Sequence, residues 1–375
     1  MAHQKGSTAA VVIGTQADIS SIATVGYVMP VNSCGVVPTQ AVNTAQTLTG
    51  SRNPIQPFRG NKDVAGPIVI PVDSRALWHW LKLMFGAPVT AGGAAAAWQA
   101  LNNYAAGALV IPTVANGRYY EVTVDAGSSA AAEPTWPTTI GATVVDDGIT
   151  WTCRAFVHEF KVPTSQPFFT LEQQFTDLAA AKYFQFLGCK VGSFAMEVGG
   201  DGELTAAMNV LGSNFQIADA SFHAAAAAAT IARVSNFQAA LTEGGAPIAT
   251  ARSMSLNLDM GLDPDQFVIG GSGVRGSIPE GVVGVSGQLV TLFQDTVLLA
   301  KAIAATESAL KLTITHTTTS VVEFEIQELE YSVAGVPIET PRGLVVPLNY
   351  QGFFANGAET SAIVARLTNI DQHAA

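Results

Sequence analysis

Charge is what this chain has least of. Of 375 residues only 13% are Asp, Glu, Lys or Arg, about half the usual share of ~25%. A monomer normally needs more charge to stay dispersed, so much of the surface is expected to be covered by partners; a compact, weakly charged globular protein is the plainer reading. Cysteine is equally scarce. Cys34, Cys153 and Cys189 are the three present, an odd number with no metal-ligand spacing, so neither a disulfide framework nor zinc is implied. This fits folding in a reducing compartment. No apolar run approaches the ~18 residues of a membrane span, and Met1-Ala2-His3-Gln4-Lys5-Gly6 lacks the apolar segment of a signal peptide. Catalytic constellations are lacking too. His3, His79, His158, His223, His316 and His373 are scattered without carboxylate or cysteine partners. The glycines at 270, 271 and 273 are not followed by a lysine at phosphate-loop spacing. No enzyme, cofactor or metal site is expected.

The charge that exists is acidic. A net −11 and a pI near 4.9 argue against gripping nucleic-acid phosphates, though not against letting DNA pass without sticking.

A motif occurs twice. The first copy is Gly60-x5-Gly66, an apolar run to Asp73, then an amphipathic stretch 76–85. The second is Gly281-x5-Gly287, an apolar run to Asp295, then a stretch 296–305. Such self-similarity implies two tandem β-rich domains, each strand run followed by a short helix. In the first helix Leu77, Trp80, Leu81 and Met84 share a face, with Asp73 or Ser74 as cap. A further short helix is expected over 177–184, while 221–232 is an alanine-rich linker or a helix. Period-two alternation predicts hairpins over 190–198/203–210 and 331–338/344–354, strands over 311–316 and 321–329, and a strand with Met254, Leu256 and Leu258 on one face. Residues 49–62 read as a long polar loop carrying Arg52, Arg59 and Lys62.

Residues 89–157 differ in style, rich in Ala and Gly and then in Trp, Tyr and Pro. They read as an insertion. The domains are therefore 1–88 with 158–220, an inserted module at 89–157, and 221–375.

The order of elements resembles the phage tail tube (major tail protein) family of long-tailed phages. The resemblance is carried by the loop 51–62, the strand entry Val64-Ala65-Gly66, the helix 76–85, the run 160–172, Ser253 to Asp259, Gly284 to Gly287, Leu289 to Asp295 and Pro347 to Phe353. It implies a mainly β fold: two tandem tube-type β-sandwich or barrel domains with flanking helices. It implies rings that stack into a hollow tube for DNA during ejection, with neighbouring hairpins pairing edge to edge so that no edge is left free. With two domains per chain, three copies would complete a pseudo-hexameric ring; a homohexamer is the alternative. Partners would be the chain itself, then the tape-measure, tail-terminator and distal tail proteins, with DNA passing without specific binding and no membrane. The location would be the virion tail, after synthesis in the host cytoplasm. Arg52, Arg59, Lys62 and Asp63 would reach a neighbouring subunit, or simply lie exposed. Glu197, Asp201, Glu203, Glu323, Glu325 and Glu328 would line the lumen, or be an ordinary solvated strand face.

The module, with Pro134-Thr135-Trp136-Pro137 and then Asp147-Gly148-Ile149-Thr150-Trp151, is similar to small carbohydrate-binding β-modules. That suggests Trp98, Tyr104, Tyr120 and Trp136 as sugar-stacking residues, or else as the module's own core, since ~60 residues have little else to bury. A carbohydrate-binding, adhesin-like virion protein is the alternative function.

Overall fold

The computed structural model describes residues 3–124, 127–333, 335–338 and 343–373. It is mainly β, built from packed sheets, and among the described residues no strand ladder closes into a barrel. Sixteen strands and two helices form two groups along the chain. The first group is β1 (Ala10–Thr15), β2 (Tyr27–Met29), β3 (Val37–Asn43), β4 (Phe58–Pro71), α1 (Leu77–Phe85), β5 (Phe169–Phe175), β6 (Lys182–Val198), β7 (Thr205–Gly212) and β8 (Asn214–Ala218). The second is β9 (Ala239–Glu243), β10 (Ala246–Pro247), β11 (Ala251–Asp259), β12 (Gly284–Leu292), α2 (Val297–Ile303), β13 (Ser308–Thr317), β14 (Ser320–Tyr331), β15 (Val345–Gly352) and β16 (Val364–Asn369).

The two groups pair identically. In the first, β1 lies between β2 and β5, β4 between β3 and β7, and β6 pairs with β5, β7 and β8. In the second, β9 lies between β10 and β13, β12 between β11 and β15, and β14 pairs with β13, β15 and β16. The glycines of the repeated motif show why the sequence keeps them. Gly66 lies opposite Val210 on β7, and Gly287 opposite Tyr350 on β15. A Cβ on Gly66 would sit 2.2 Å from the carbonyl oxygen of Gly35; on Gly287 it would sit 2.0 Å from that of Ser255. By register these carbonyls stand at corresponding positions, Gly35 at the entry to β3 and Ser255 within β11, so the same backbone approach is built twice.

The groups join side by side. Ser193–Val198 of β6 pairs antiparallel with Met254–Asp259 of β11, giving a continuous order β3-β4-β7-β6-β11-β12-β15-β14. Period-two alternation puts Phe194, Met196, Met254, Leu256 and Leu258 on one face, within a hydrophobic cluster that runs through both groups.

α1 buries Leu77, Trp78, Trp80, Leu81, Leu83, Met84 and Phe85, and Asp73 caps the turn before it by accepting from the N–H groups of Arg75 and Ala76, each 2.6 Å. The C-terminal segment returns to this helix. His373 stacks on Trp78 at 3.9 Å between centroids, and His79 packs on Tyr27 at 4.3 Å. Burial holds both imidazoles down to about 4, reinforced by the repulsion of Lys82 on His79 and of His158, His79 and Arg75 on His373, while Asp371 pulls the other way. Both rings are neutral when folded and protonate near 6.5 when unfolded, so stability is complete above pH 6.5 and falls as pH drops toward 4. The melting temperature is expected to fall across that window, and a His79→Gln, His373→Gln double variant to lose most of the slope; an unchanged slope would refute the assignment.

Three expectations are corrected. No helix covers 177–184: residues 177–180 form bends and β6 begins at Lys182, because Phe184 and Phe186 pack against Phe215 across the sheet. The polar loop is shorter than expected, since Phe58 onward is already strand β4. The last hairpin pairs only through Leu329–Tyr331; residues 332, 333 and 335–338 carry no ladder, and the turn at 339–342 lies outside the described residues. In the alanine-rich stretch, Ala227–Ala228 forms a short strand parallel to β2.

Val89–Ala91 and Phe156–Lys161 pair with each other and belong to the main sheets. Between them a separate sheet runs Thr143–Asp146, Ile149–Arg154, Tyr119–Val124, Leu109–Ile111, Ala96–Ala97, with its own core of Trp98, Tyr120, Ile149 and Trp151.

Candidate functional site

The central strands β4, β7, β6, β11, β12 and β15 bury one face. The other is built from short side chains, in rows set by register. One row runs Val69, Ala207, Ala195, Asn257, Ser286, Gln351. The next runs Pro67, Asn209, Ser193, Asp259, Gly284, and a third Glu197, Ser255, Gln288, Asn349. Asp259 and Glu197 are the ionisable residues of these rows, both exposed, and no lysine or arginine lies among them. A face of small neutral residues with sparse acids gives phosphate nothing to hold and repels it weakly.

Where the two groups meet, the segment 260–283 clamps the joint. Lys190 on β6, its side chain 3% exposed, ion-pairs with Glu280 and donates to the carbonyl of Ile278 at 2.9 Å. Glu280 also accepts from the N–H of Gln166 at 2.9 Å; burial alone would raise its carboxyl, but Lys190 and that N–H hold it below the usual range. From the same segment Arg275, also 3% exposed, reaches Asp63 at 2.6 Å and the carbonyl of Gly212 at 2.8 Å. Ser213 donates to the carbonyl of Arg275 at 2.6 Å, and the N–H of Lys62 to that of Gly273 at 2.7 Å. Guanidinium and ammonium groups buried this deeply are held by such hydrogen bonds.

The ends of the strand order are open. Among the described residues β3 pairs only with β4, and it exposes Val37 and Val42. Beyond Tyr331, Val333 and Ile338 are exposed, 72% and 83%. Unpaired apolar edges invite strand addition.

The predicted residues fall in different places. Asp63 and the Lys62 backbone join the clamp. Arg59 is exposed on β4 and donates to Gln40 at 3.3 Å, while Arg52 is exposed in the segment 44–57. Of the acidic candidates, Glu197 lies on the small-residue face. Asp201 is exposed at the β6–β7 turn, and Glu203 pairs with Arg233 and accepts from Asn32 at 2.7 Å. Glu323 and Glu325 lie elsewhere, around Arg366 with Glu159 and Glu359, and Lys311 pairs with Glu323 at 2.8 Å. Glu328 is buried and accepts from the N–H groups of Ala355 and Asn356 at 2.7 and 2.8 Å. Sequence reasoning missed Lys190, Arg275, Glu280 and Asp259. The available signal was that Glu280 and Arg59 each stand immediately before the first glycine of the repeated motif.

In the inserted sheet Trp98 and Tyr120 are buried. Tyr104 packs edge-on against Trp151 at 5.0 Å, and Trp136 against Tyr120 at 4.3 Å while donating its indole N–H to Glu133 at 2.7 Å. Among the described residues no His, Cys, Asp and Glu group is arranged to hold a metal, and no helix is long and apolar enough to cross a membrane.

A family model described as phage tail tube protein matches residues 6–352 of the chain. No curated protein matches it.

Proposed function

The chain belongs to the phage tail tube protein family, and we propose that three copies close into a pseudo-hexameric ring, which stacks into the tube that DNA crosses during ejection. The family is one of structural components of the virion tail rather than of enzymes. The observation that carries the ring is the β6–β11 join. It pairs the last strand of one four-strand set with the first strand of the next, inside one chain. Repeating that operation sets β14 and the residues beyond it beside β3 of another copy, and the two open edges satisfy each other. The same operation makes the small-residue face continuous around the ring, which supports its assignment as the lumen wall. Glu197 and Asp259 would then recur three times each per ring. The division into a first tube domain (1–88 with 158–220) and a second (221–375) is supported by the repeated pairing order, and an inserted module within 89–157 by the separate sheet between Ala96 and Arg154, whose flanking strands join the main sheets. The module hangs from Val89–Ala91 and Phe156–Lys161, strands outside the six-stranded face, which favours an outward position clear of the DNA.

Negative-stain electron microscopy of the concentrated protein is expected to show uniform hollow rods with regular striations. Class averages down the axis should have three-fold symmetry, with three protruding modules. Discrete particles at every concentration would refute the tube; six protrusions per ring would refute the trimer.

A further inference from the structure

The clamp at the joint within the chain has a counterpart at the open ends, with its charges exchanged. Corresponding positions follow from strand register. Leu262 bridges Glu280, and Val42 pairs with Arg59, each after the same one-residue shift from the preceding pairs Asp259–Gly284 and Thr39–Asp63. Arg59 and Glu280 each precede the first glycine of the motif. Arg59 therefore stands where Glu280 stands. On the facing strand Lys190 pairs with Leu211, one residue beyond Val210, which lies opposite Gly66; Glu330 pairs with Gln351, one residue beyond Tyr350, which lies opposite Gly287. Glu330 therefore stands where Lys190 stands. Inside the chain the ion pair is Lys190–Glu280. At the open ends the corresponding residues are Glu330 and Arg59, both exposed, and among the described residues neither makes an ion pair.

We infer that Arg59 of one copy pairs with Glu330 of the next, and that the exchanged charges enforce alternation of the two domains around the ring. This rests on the ring reading above. The occupant of the open edge is a second copy, because the joint already built in the chain shows how that edge is covered. Val42 supports it: its counterpart Leu262 is half-buried against the joint, whereas Val42 is 64% exposed. The exchange also rejects wrong neighbours. Two first domains side by side would oppose Lys190 with Arg59, and two second domains would oppose Glu330 with Glu280; such like-charge contacts disfavour the incorrect pairing. Only first-beside-second contacts bring opposite charges together at every joint, which a ring of two-domain chains satisfies when all run in one direction.

The test compares wild type, Arg59→Glu, Glu330→Arg and the double variant by sedimentation velocity and electron microscopy, with circular dichroism and thermal melts reporting folding of each. Both side chains are exposed, so the folded chains should melt alike. Each single reversal is expected to lower the assembled fraction at least ~tenfold, and the double variant to restore most of it. Wild-type rings together with unimpaired single variants would overturn the Arg59–Glu330 contact and leave the ring intact. Impaired singles without rescue in the double variant would also overturn it. Wild type that never forms rings would overturn the ring reading itself.

Discussion

Gly287→Ala is expected to cost about 3 kcal/mol or more of folding stability, and Gly66→Ala a similar amount, the range of an overpacked core site with no room to relax. The new methyl carbon at 287 would lie 2.0 Å from the carbonyl oxygen of Ser255 and 2.5 Å from the hydroxyl of Tyr350, which itself donates to that carbonyl at 2.7 Å. At 66 it would lie 2.2 Å from the Gly35 carbonyl and 2.7 Å from the Cα of Val36. Backbone atoms cannot rotate away as a side chain can, so β11 or the entry to β3 must shift, and the ladders on both sides are disturbed. Gly60 is the control. A methyl there would meet nothing closer than 3.4 Å, the Nδ2 of Asn43, and Gly60→Ala should change stability by less than ~0.5 kcal/mol. Thermal or urea unfolding of the three variants decides it. Equal stability of all three would show that the repeated glycines are not kept for backbone clearance.

The second large effect lies in the inserted sheet. Asp146 is buried and accepts three hydrogen bonds: from the indole N–H groups of Trp98 at 2.9 Å and Trp151 at 3.1 Å, and from the N–H of Ala130 at 2.8 Å. Asp146→Ala strands all three donors in a small core. Each unsatisfied buried group costs ~1–3 kcal/mol, so a loss of about 3 kcal/mol or more is expected. Asp146→Asn keeps a carbonyl acceptor for the indoles and should lose about half as much. Three of the five tryptophans, Trp98, Trp136 and Trp151, sit in this unit, so fluorescence reports its unfolding directly. The alanine variant should show an early fluorescence transition while the main sheets melt later. A single transition at the wild-type temperature would mean the carboxylate contributes little to holding the unit.

The inserted unit also shows what a sequence leaves undecided. The same Trp and Tyr pattern fits a sugar-binding surface or a small core, because composition does not state which way a ring points. The fold turns Trp98 and Tyr120 inward. The acidic strand residues pose the same problem. Glu323 and Glu325 alternate along β14 as Glu197 does along β6, yet the former gather around Arg366 while Glu197 stays on the small-residue face. The partner Arg366 comes from β16, more than forty residues further along the chain, and no local pattern announces it. The helix expected over 177–184 failed for a related reason: local propensity was outweighed by aromatic packing between strands.

By itself the sequence determined the β class, the α1 helix, the doubled glycine motif and the near absence of charge suited to gripping DNA. These follow from local rules, since a period of two fixes a half-buried strand and a glycine marks where another backbone comes too close for a side chain. Tertiary structure alone decided which strands lie at the joint, which edges stay open, and that Lys190–Glu280 corresponds to Glu330 and Arg59 with the signs exchanged. The reason is register: a strand's neighbour is chosen by the packing of distant segments, so two charges far apart in sequence acquire a common position only once the ladders are formed.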